Sequence, residues 1–323
     1  MKKSYSRILC FLLLIVIGLG AYTRLTDAGL GCPDWPGCYG SFIVPDKINV
    51  DQHAYDLINF DSTRAWIEMI HRYAAGTVGL LVIFYALSQI KNKTLLALTI
   101  VILVVFQALL GMWTVTQKLQ PIVVSLHLLG GMGLLLLTWQ LGFSSKQYSK
   151  TQLSLKAMQL QVLLKIVFIV YLLQLFLGAW VSTNYAGLSC QGILTCLPEQ
   201  NIYFFNPLSI FNFHDIWISA EPLSFYTIVQ KAQIQIIHRI NAILLGIGIG
   251  SLFIFWRSYK INQKVTLILA VSVYLFQFIV GWMIVMMQLP LSLAVLHNIL
   301  AALLGLSLIN LKRTLNTDGY GYI

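Results

Sequence analysis

A carboxylate, an imidazole and a guanidinium lie close together in the stretch IEMIHRYAAG, residues 67–76. In a helix, Glu68 shares a face with His71 three residues on and can pair with Arg72 four residues on. The surrounding residues are apolar enough to be buried in a membrane, where ionisable side chains are costly and indicate a functional site. The ordinary alternative is that Glu68 only forms an ion pair with Arg72.

Four of the six histidines occupy equivalent places in alternate predicted helices: His71, His127, His238 and His297. Each lies six or seven residues inside the same boundary of its helix, which places all four roughly 10 Å below the outer surface at about 1.5 Å per residue. Two imidazoles facing each other across a four-helix bundle suit a planar macrocycle with two axial positions. The pattern therefore predicts one haem, ligated through iron by two histidines, in each half of the chain.

Two other interpretations of the histidines are weaker. A closed zinc site needs four ligands, and neither half offers a nearby cysteine or a second carboxylate. An interhelical hydrogen bond is the ordinary role of a single intramembrane histidine, but it does not explain four at one depth.

The composition is that of an integral membrane protein. Hydrophobic residues make up 58% of the 323 residues and charged residues only 10%. Seven long apolar runs, the last of which is broken at Pro290, predict eight transmembrane helices of about 20 residues each. The expected fold class is therefore an all-α integral membrane protein surrounded by lipid.

The charges predict the topology. Fourteen of the 21 Lys and Arg residues fall at one set of helix ends, and ten of the 11 acidic residues lie toward the other. By the positive-inside rule both termini are cytoplasmic, and two long loops, about 24–63 and 183–229, lie outside the cell membrane. The basic residues are dispersed over short loops, so the net charge of +10 reflects topology and nucleic acid is excluded as a partner.

The two halves of the chain repeat each other. The matching motifs are LGAYTRLTDAGLGC (19–32) and LGAWVSTNYAGLSC (177–190), IHR (70–72 and 237–239), FQALLG (106–111) and FQFIVG (276–281), and LH (126–127 and 296–297). We therefore expect a tandem duplication of two parallel four-helix bundles, residues 1–143 and 166–323, joined by a cytoplasmic linker at 144–165. A signal peptide would be cleaved near residue 21, but the repeat extends across that position. The basic and apolar N-terminus is therefore interpreted as a first helix and not as a cleaved signal peptide. In this register Glu68 of the first half corresponds to Gln235 of the second, so only the first half has the acid.

The outer loops each contain a cysteine pair with the same spacing, Cys32 and Cys38 in the first loop and Cys190 and Cys196 in the second. On the oxidising side of the membrane such pairs predict one structural disulfide per loop. A redox-active pair that exchanges electrons with a partner is the alternative. Cys10, within the first helix, is interpreted as a small core residue.

The motifs TRLTDAGLGCPDWPGCYG (23–40) and EMIHR (68–72), with the later HR and LH histidines, resemble the bacterial, cysteine-containing haem A synthase family over nearly the whole chain. The resemblance implies a membrane oxidoreductase that converts a ring methyl group of haem O into the formyl group of haem A. By position, it implies that His238 and His297 hold a haem b cofactor. It also implies that His71 and His127 face the substrate haem, with Glu68 as the catalytic carboxylate.

An electron donor, either a quinol or a ferredoxin-like protein, is expected with this activity, and haem O synthase is an expected partner.

Two further functions fit parts of the sequence. A two-haem cytochrome for quinol-linked electron transfer explains the histidines but not the difference between Glu68 and Gln235. A quinone-coupled thiol oxidoreductase would use the loop cysteines as its active centre. A transporter fits least, because the helices lack the Gly/Pro-broken pairs of a midplane site.

Overall fold

The computed structural model describes residues 2–46, 60–143, 155–190 and 227–318. In these ranges the chain forms α1 (Lys2–Leu25), α2 (Ser62–Ser88), α3 (Thr94–Thr116), α4 (Pro121–Leu141), α5 (Leu155–Thr183), α6 (Ile228–Ser251), α7 (Ile261–Met286) and α8 (Leu291–Asp318). A 3-10 helix, Leu252–Ser258, prolongs α6. All eight α-helices contain stretches long and apolar enough to cross a membrane. The predicted fold class is confirmed: this is a helical, multi-pass membrane protein.

The helices begin where the sequence supplies capping groups. The Asp61 side chain accepts hydrogen bonds from two backbone N–H groups in the first turn of α2. Thr227 and Gln230 form a reciprocal capping box at the start of α6. Pro121 opens α4 and Pro290 directly precedes α8, because proline lacks an N–H group and is tolerated only where none is needed. These signals fix the ends of the helices that carry the candidate site.

Four helices form the centre of the molecule. Helices α1 and α4 pack against α8 and α5, while α2 and α3 pack outside the first pair and α6 and α7 outside the second. The centre is filled by buried side chains such as Leu13, Leu135 and Leu304. Tyr171 on α5 donates a hydrogen bond of 2.9 Å to the carbonyl of Ala301 on α8. The two halves therefore meet along an extended apolar interface.

Helix α5 is longer than the sequence predicted. The linker was expected to reach residue 165, but the helix already begins at Leu155, and residues 144–154 lie outside the described part of the chain. Leu160 and Leu164, four residues apart on one face, are buried against Leu252 and Leu311. This packing at the end of the bundle extends the helix beyond the purely apolar run.

A polar cluster joins the halves at the opposite end, which carries the Cys32–Cys38 loop and which we call the cysteine end. Arg24 donates to Oδ1 of Asp27 at 3.1 Å and to the carbonyl of Ser182 at 2.8 Å. Its guanidinium lies 4.5 Å from the ring centroid of Tyr185, whose hydroxyl donates to Asp27 at 2.9 Å. These residues form the inter-half cluster. In the register of the repeat, Arg24 corresponds to Ser182 and Asp27 to Tyr185, so equivalent positions of the two halves meet here.

Candidate functional site

One cavity of about 1720 Å³ extends through both halves and is lined by His71, His127, His238 and His297. The first two come from α2 and α4, the last two from α6 and α8, and the members of each pair are close enough to interact electrostatically. The cavity exceeds the roughly 300–1,000 Å³ of a pocket for a single small ligand. The fold thus brings together the histidines that the sequence paired.

Each imidazole packs against a glycine of the preceding helix: His71 on Gly20, His127 on Gly111, His238 on Gly178 and His297 on Gly281. A Cβ atom would lie only 2.9 Å from the imidazole Cε1 atom at Gly20 and at Gly281, 3.2 Å at Gly178 and 3.5 Å at Gly111. We call these four residues the contact glycines. They belong to the repeated motifs, but the sequence analysis gave them no role; their recurrence before each histidine was the available signal.

The ring nitrogens have the chemistry that haem ligation requires. The Nδ1 atoms of His71, His127 and His297 are buried and have no hydrogen-bond partner in the described part of the chain. Buried polar atoms are normally satisfied, so unpaired imidazole nitrogens beside a large cavity indicate a missing partner. Among the described residues, no group of three or more His, Cys, Asp or Glu side chains is placed to hold a metal ion. An imidazole from each of two helices could instead take the two axial positions of a haem.

Glu68 is buried, with 4% of its surface exposed, and both carboxylate oxygens have partners. Oε1 accepts from Nη2 of Arg72 at 2.5 Å, and Oε2 accepts from the backbone N–H of Cys32 at 2.9 Å. The ion pair proposed as the ordinary role of Glu68 is therefore formed. Glu68 also lines the cavity together with His71, so the structural role and a position at the site coexist.

Arg72 holds the loop between the two cysteines of the N-terminal half. The Cys32–Cys38 disulfide closes this loop, as predicted. Nη1 of Arg72 donates to the carbonyls of Asp34 at 2.9 Å and Gly37 at 2.5 Å. Trp35, between these residues, lines the cavity. The disulfide loop therefore lines the cavity at the cysteine end, and it is attached to α2 both by the Arg72 guanidinium and by the bond from the Cys32 N–H to Glu68.

The C-terminal half repeats this arrangement without the acid. Oε1 of Gln235 accepts from the Cys190 N–H at 2.6 Å, and its Nε2 donates to the Gly187 carbonyl at 2.6 Å. Arg239 donates to the carbonyl of Cys190 at 2.8 Å. Cys196, the predicted disulfide partner of Cys190, lies outside the described residues. An amide thus replaces the carboxylate while the loop remains attached to the helix.

One polar contact to a cavity histidine was not predicted. Gln174 on α5 approaches the ring of His238, and Asn241 on α6 donates to Oε1 of Gln174 at 2.7 Å. No motif marks these residues, since a Gln and an Asn in apolar helices are usually interhelical hydrogen-bonding groups. Comparison of the two halves was the one available signal, because the equivalent positions are apolar: Val16 and Ala74.

Eight helices long and apolar enough to cross a membrane, with two histidine pairs that line one cavity, define a multi-pass membrane protein with room for a large ligand. Residues 3–309 match the model of the COX15-CtaA family, described as cytochrome oxidase assembly protein. The chain belongs to this family.

The chain is also similar to bacterial proteins named Heme A synthase. The protein of Shewanella oneidensis is 39% identical, over 95% of this chain and 94% of the relative. That of Rickettsia bellii is 27% identical over 94% of this chain and 96% of the relative. That of Lysinibacillus sphaericus is 26% identical over 91% of this chain and 88% of the relative. These names favour neither the electron-transfer cytochrome nor the thiol oxidoreductase.

Proposed function

We propose that this protein is a haem A synthase, an oxidoreductase of the cell membrane that oxidises a ring methyl group of haem O to a formyl group. The observation that carries the proposal is the pair of histidines in each half, which line one cavity in a chain of this family. The reaction replaces two C–H bonds of the methyl group by a C=O bond, a net oxidation that requires redox chemistry beyond amino-acid side chains.

The two halves would have different tasks. His238 and His297 of the C-terminal half, residues 166–323, would hold haem b, which supplies one-electron transfer when bound. His71 and His127 of the N-terminal half, residues 1–143, would face the substrate haem O. The position of the acid supports this division, because Glu68 lies on the same helix as His71 whereas the C-terminal half has an amide at that position.

Glu68 would act as the proton-holding group beside the substrate. A general acid or base must lie within hydrogen-bond reach of the reacting group and keep a fixed orientation. The Arg72 guanidinium and the Cys32 N–H each hold one oxygen, so the Glu68 carboxylate cannot rotate freely. The same two contacts connect Glu68 to the disulfide loop, which would limit access of water to the cavity.

The surroundings of the enzyme follow from the distribution of charge. The cysteine end would face outward and both termini would face the cytoplasm, because the basic residues concentrate at the opposite ends of the helices. Haem O synthase would provide the substrate. In two successive hydroxylations, each dioxygen molecule would give one oxygen atom to a C–H bond and release the other as water, using two electrons from a quinol or a ferredoxin-like protein, and the resulting diol would lose water to give the formyl group.

Glu68→Gln tests the proposal sharply, because Gln235 already occupies the equivalent position with its hydrogen bonds satisfied. The protein is produced in cells that make haem O, and acid-extracted haems are separated by chromatography. We expect the wild-type protein to yield haem A, and Glu68→Gln to retain bound haem b but yield none. Asp61→Asn is the matched control: it removes an acid from the start of the same helix but keeps a capping side chain.

Normal haem A formation by Glu68→Gln would remove the proton-holding role from this residue. A wild-type protein that binds haem but leaves haem O unchanged would overturn the proposed activity. The two-haem electron-transfer cytochrome would then be the favoured function.

A further inference from the structure

A side-chain amide contacts one cavity histidine. Nε2 of Gln174 lies 3.2 Å from Nδ1 and 3.3 Å from Nε2 of His238. Asn241, nearly one turn beyond His238 on α6, donates to Oε1 of Gln174 at 2.7 Å and to the carbonyl of Val170 at 3.1 Å. Because the oxygen of Gln174 accepts from Asn241, its nitrogen is the end that faces the ring.

The two nearly equal distances show how Gln174 meets the imidazole. A hydrogen bond in line with one ring nitrogen would put the donor about 3 Å from that nitrogen and well beyond 4 Å from the other. In the ring plane, a donor equally near to both nitrogens would overlap Cε1, an edge that already packs on Gly178. The amide of Gln174 therefore lies over the face of the His238 ring. This position restricts rotation of the ring without occupying the in-plane lone pair of either nitrogen.

The contact exists in one half only. In the register given by Gly20 with Gly178 and by His71 with His238, the positions of Gln174 and Asn241 are occupied by Val16 and Ala74. Neither of these side chains can donate or accept a hydrogen bond. Although each ring also packs on its contact glycine, the ring of His238 is held by an amide and that of His71 is not.

We propose that Gln174 and Asn241 are positioning residues that fix His238 and so make the C-terminal site the one that retains its haem. The inference rests on the proposed function, in which one haem is resident and the other is exchanged as substrate and product. Groups that orient a metal ligand typically change metal affinity by roughly 10–100-fold when they are removed. Val16 and Ala74 place no such restraint on His71, whose ring would be freer to reorient when haem enters or leaves.

The test isolates the C-terminal site. The full-length protein carrying His71→Ala and His127→Ala keeps one of the two cavity histidine pairs, His238 with His297. Haem transfer from this purified background to excess apomyoglobin gives the rate of haem loss, and electron paramagnetic resonance of the ferric state reports the orientation of the axial imidazoles. Gln174→Leu, similar in size but without the amide, is then added. We expect haem loss to become roughly 10–100-fold faster and the low-spin signal to broaden or shift.

Two further variants separate positioning from a general loss of packing. Asn241→Ser leaves Gln174 in place but removes the amide that orients it, so it should reproduce a weaker form of both effects even if Gln174→Leu accumulates poorly. Gln263→Leu is the matched control, because Gln263 is a fully buried glutamine that donates to the carbonyl of Thr314 and does not line the cavity. It should leave haem loss and the resonance signal unchanged.

The outcomes are distinguishable. Wild-type haem loss and an unchanged signal in both Gln174→Leu and Asn241→Ser would overturn the inference and leave the proposed function standing. The same acceleration in Gln263→Leu would also overturn it, because any buried glutamine would then suffice. A background protein that binds no haem at all would contradict the resident site, and with it the proposed function.

Discussion

The backbone N–H of Cys32 donates a hydrogen bond of 2.9 Å to Oε2 of Glu68. Through this bond the Cys32–Cys38 disulfide loop and the buried carboxylate of α2 form one unit. The C-terminal half contains the corresponding bond from Cys190 to Gln235, at 2.6 Å. The attachment of the loop to the helix is therefore common to both halves, whereas the ionisable group is present in one.

Opening the Cys32–Cys38 loop should selectively impair the N-terminal half, which is the proposed substrate half. Cys32→Ser with Cys38→Ser removes a short covalent closure that stabilises the loop by about 2 kcal/mol. We expect haem A formation to fall while the haem held by the C-terminal half is unchanged, measured by haem extraction and by the optical spectrum. Cys10→Ala, which alters a buried thiol of α1 away from the loop, is the control. Full activity of the double variant would show that the closure is dispensable.

Replacing Arg72 by Lys should be severe although the charge is kept. The guanidinium reaches Oε1 of Glu68 and the carbonyls of Asp34 and Gly37 at the same time. A lysine ammonium is a point charge on a flexible stem and cannot reproduce this fork. We expect at least a tenfold loss of haem A formation in cells, with normal amounts of protein in the membrane. Arg64→Lys, at a half-exposed ion pair with Asp61, should behave as wild type; equal losses in both variants would refute the argument.

Alanine substitutions at two of the contact glycines should affect the two proposed haem sites differently. A Cβ at Gly281 would lie 2.9 Å from Cε1 of His297, closer than real Cβ contacts allow, so this ring must move. Gly281→Ala should therefore lose haem from the C-terminal half, and Gly20→Ala should abolish haem A formation while the C-terminal haem is retained. Haem content per protein and extracted haem A measure the two effects.

The contact glycines also provide a graded comparison. Gly111→Ala introduces only an ordinary contact of 3.5 Å with His127 and should be tolerated. Gly250→Ala, in open space on α6, should be neutral or slightly stabilising. Haem loss in Gly250→Ala as large as in Gly281→Ala would show that helix glycines matter generally and not as contacts for the imidazoles.

The inter-half cluster should make the free energy of unfolding depend on pH in the alkaline range. Burial, opposed by Arg24 and assisted by Asp27, raises the pKa of Tyr185 above its ordinary value of about 10. A raised pKa in the folded state means that the stabilisation is fully present below about pH 10 and is lost as pH rises through the folded-state value. Tyr185→Phe should lower the free energy of unfolding by about 0.5–1 kcal/mol near neutral pH, since the hydroxyl is only partly buried.

The measurement is thermal unfolding in detergent, followed from neutral pH to about pH 11. The difference between wild type and Tyr185→Phe should shrink as the hydroxyl ionises. Tyr5→Phe, at an exposed site on α1, is the control and should show no difference. A constant difference between Tyr185→Phe and wild type across the range would contradict the assignment.

Hydrophobicity and repetition predicted most of the architecture. The apolar runs and Pro290 gave eight helices. The four histidines chosen by equal spacing from the helix boundaries line one cavity, and their grouping into two haem-ligating pairs stays a prediction. These features are local in sequence, because helix length and depth depend only on residue spacing. The Cys32–Cys38 disulfide followed from the same logic, since a short spacing in an outer loop leaves few other partners.

Residue spacing could not predict the contacts between helices, either across the two halves or within one half. Arg24 could be assigned to a helix end, but its approach to Ser182 and Tyr185 depends on how α1 and α5 are placed in three dimensions. The contact of Gln174 with His238 likewise depends on the rotation of two helices about their axes. Lipid-facing and core-facing positions are equally apolar in this chain, so the pattern carries little information about those rotations.

The packing of α1 and α4 against α8 and α5, together with the inter-half cluster, means that non-covalent contacts join the halves independently of the peptide that connects them. Severed anywhere between Phe143 and Leu155, the gene would encode two polypeptides that insert separately and recognise each other within the bilayer. The two polypeptides should reassemble into a protein with a working cavity.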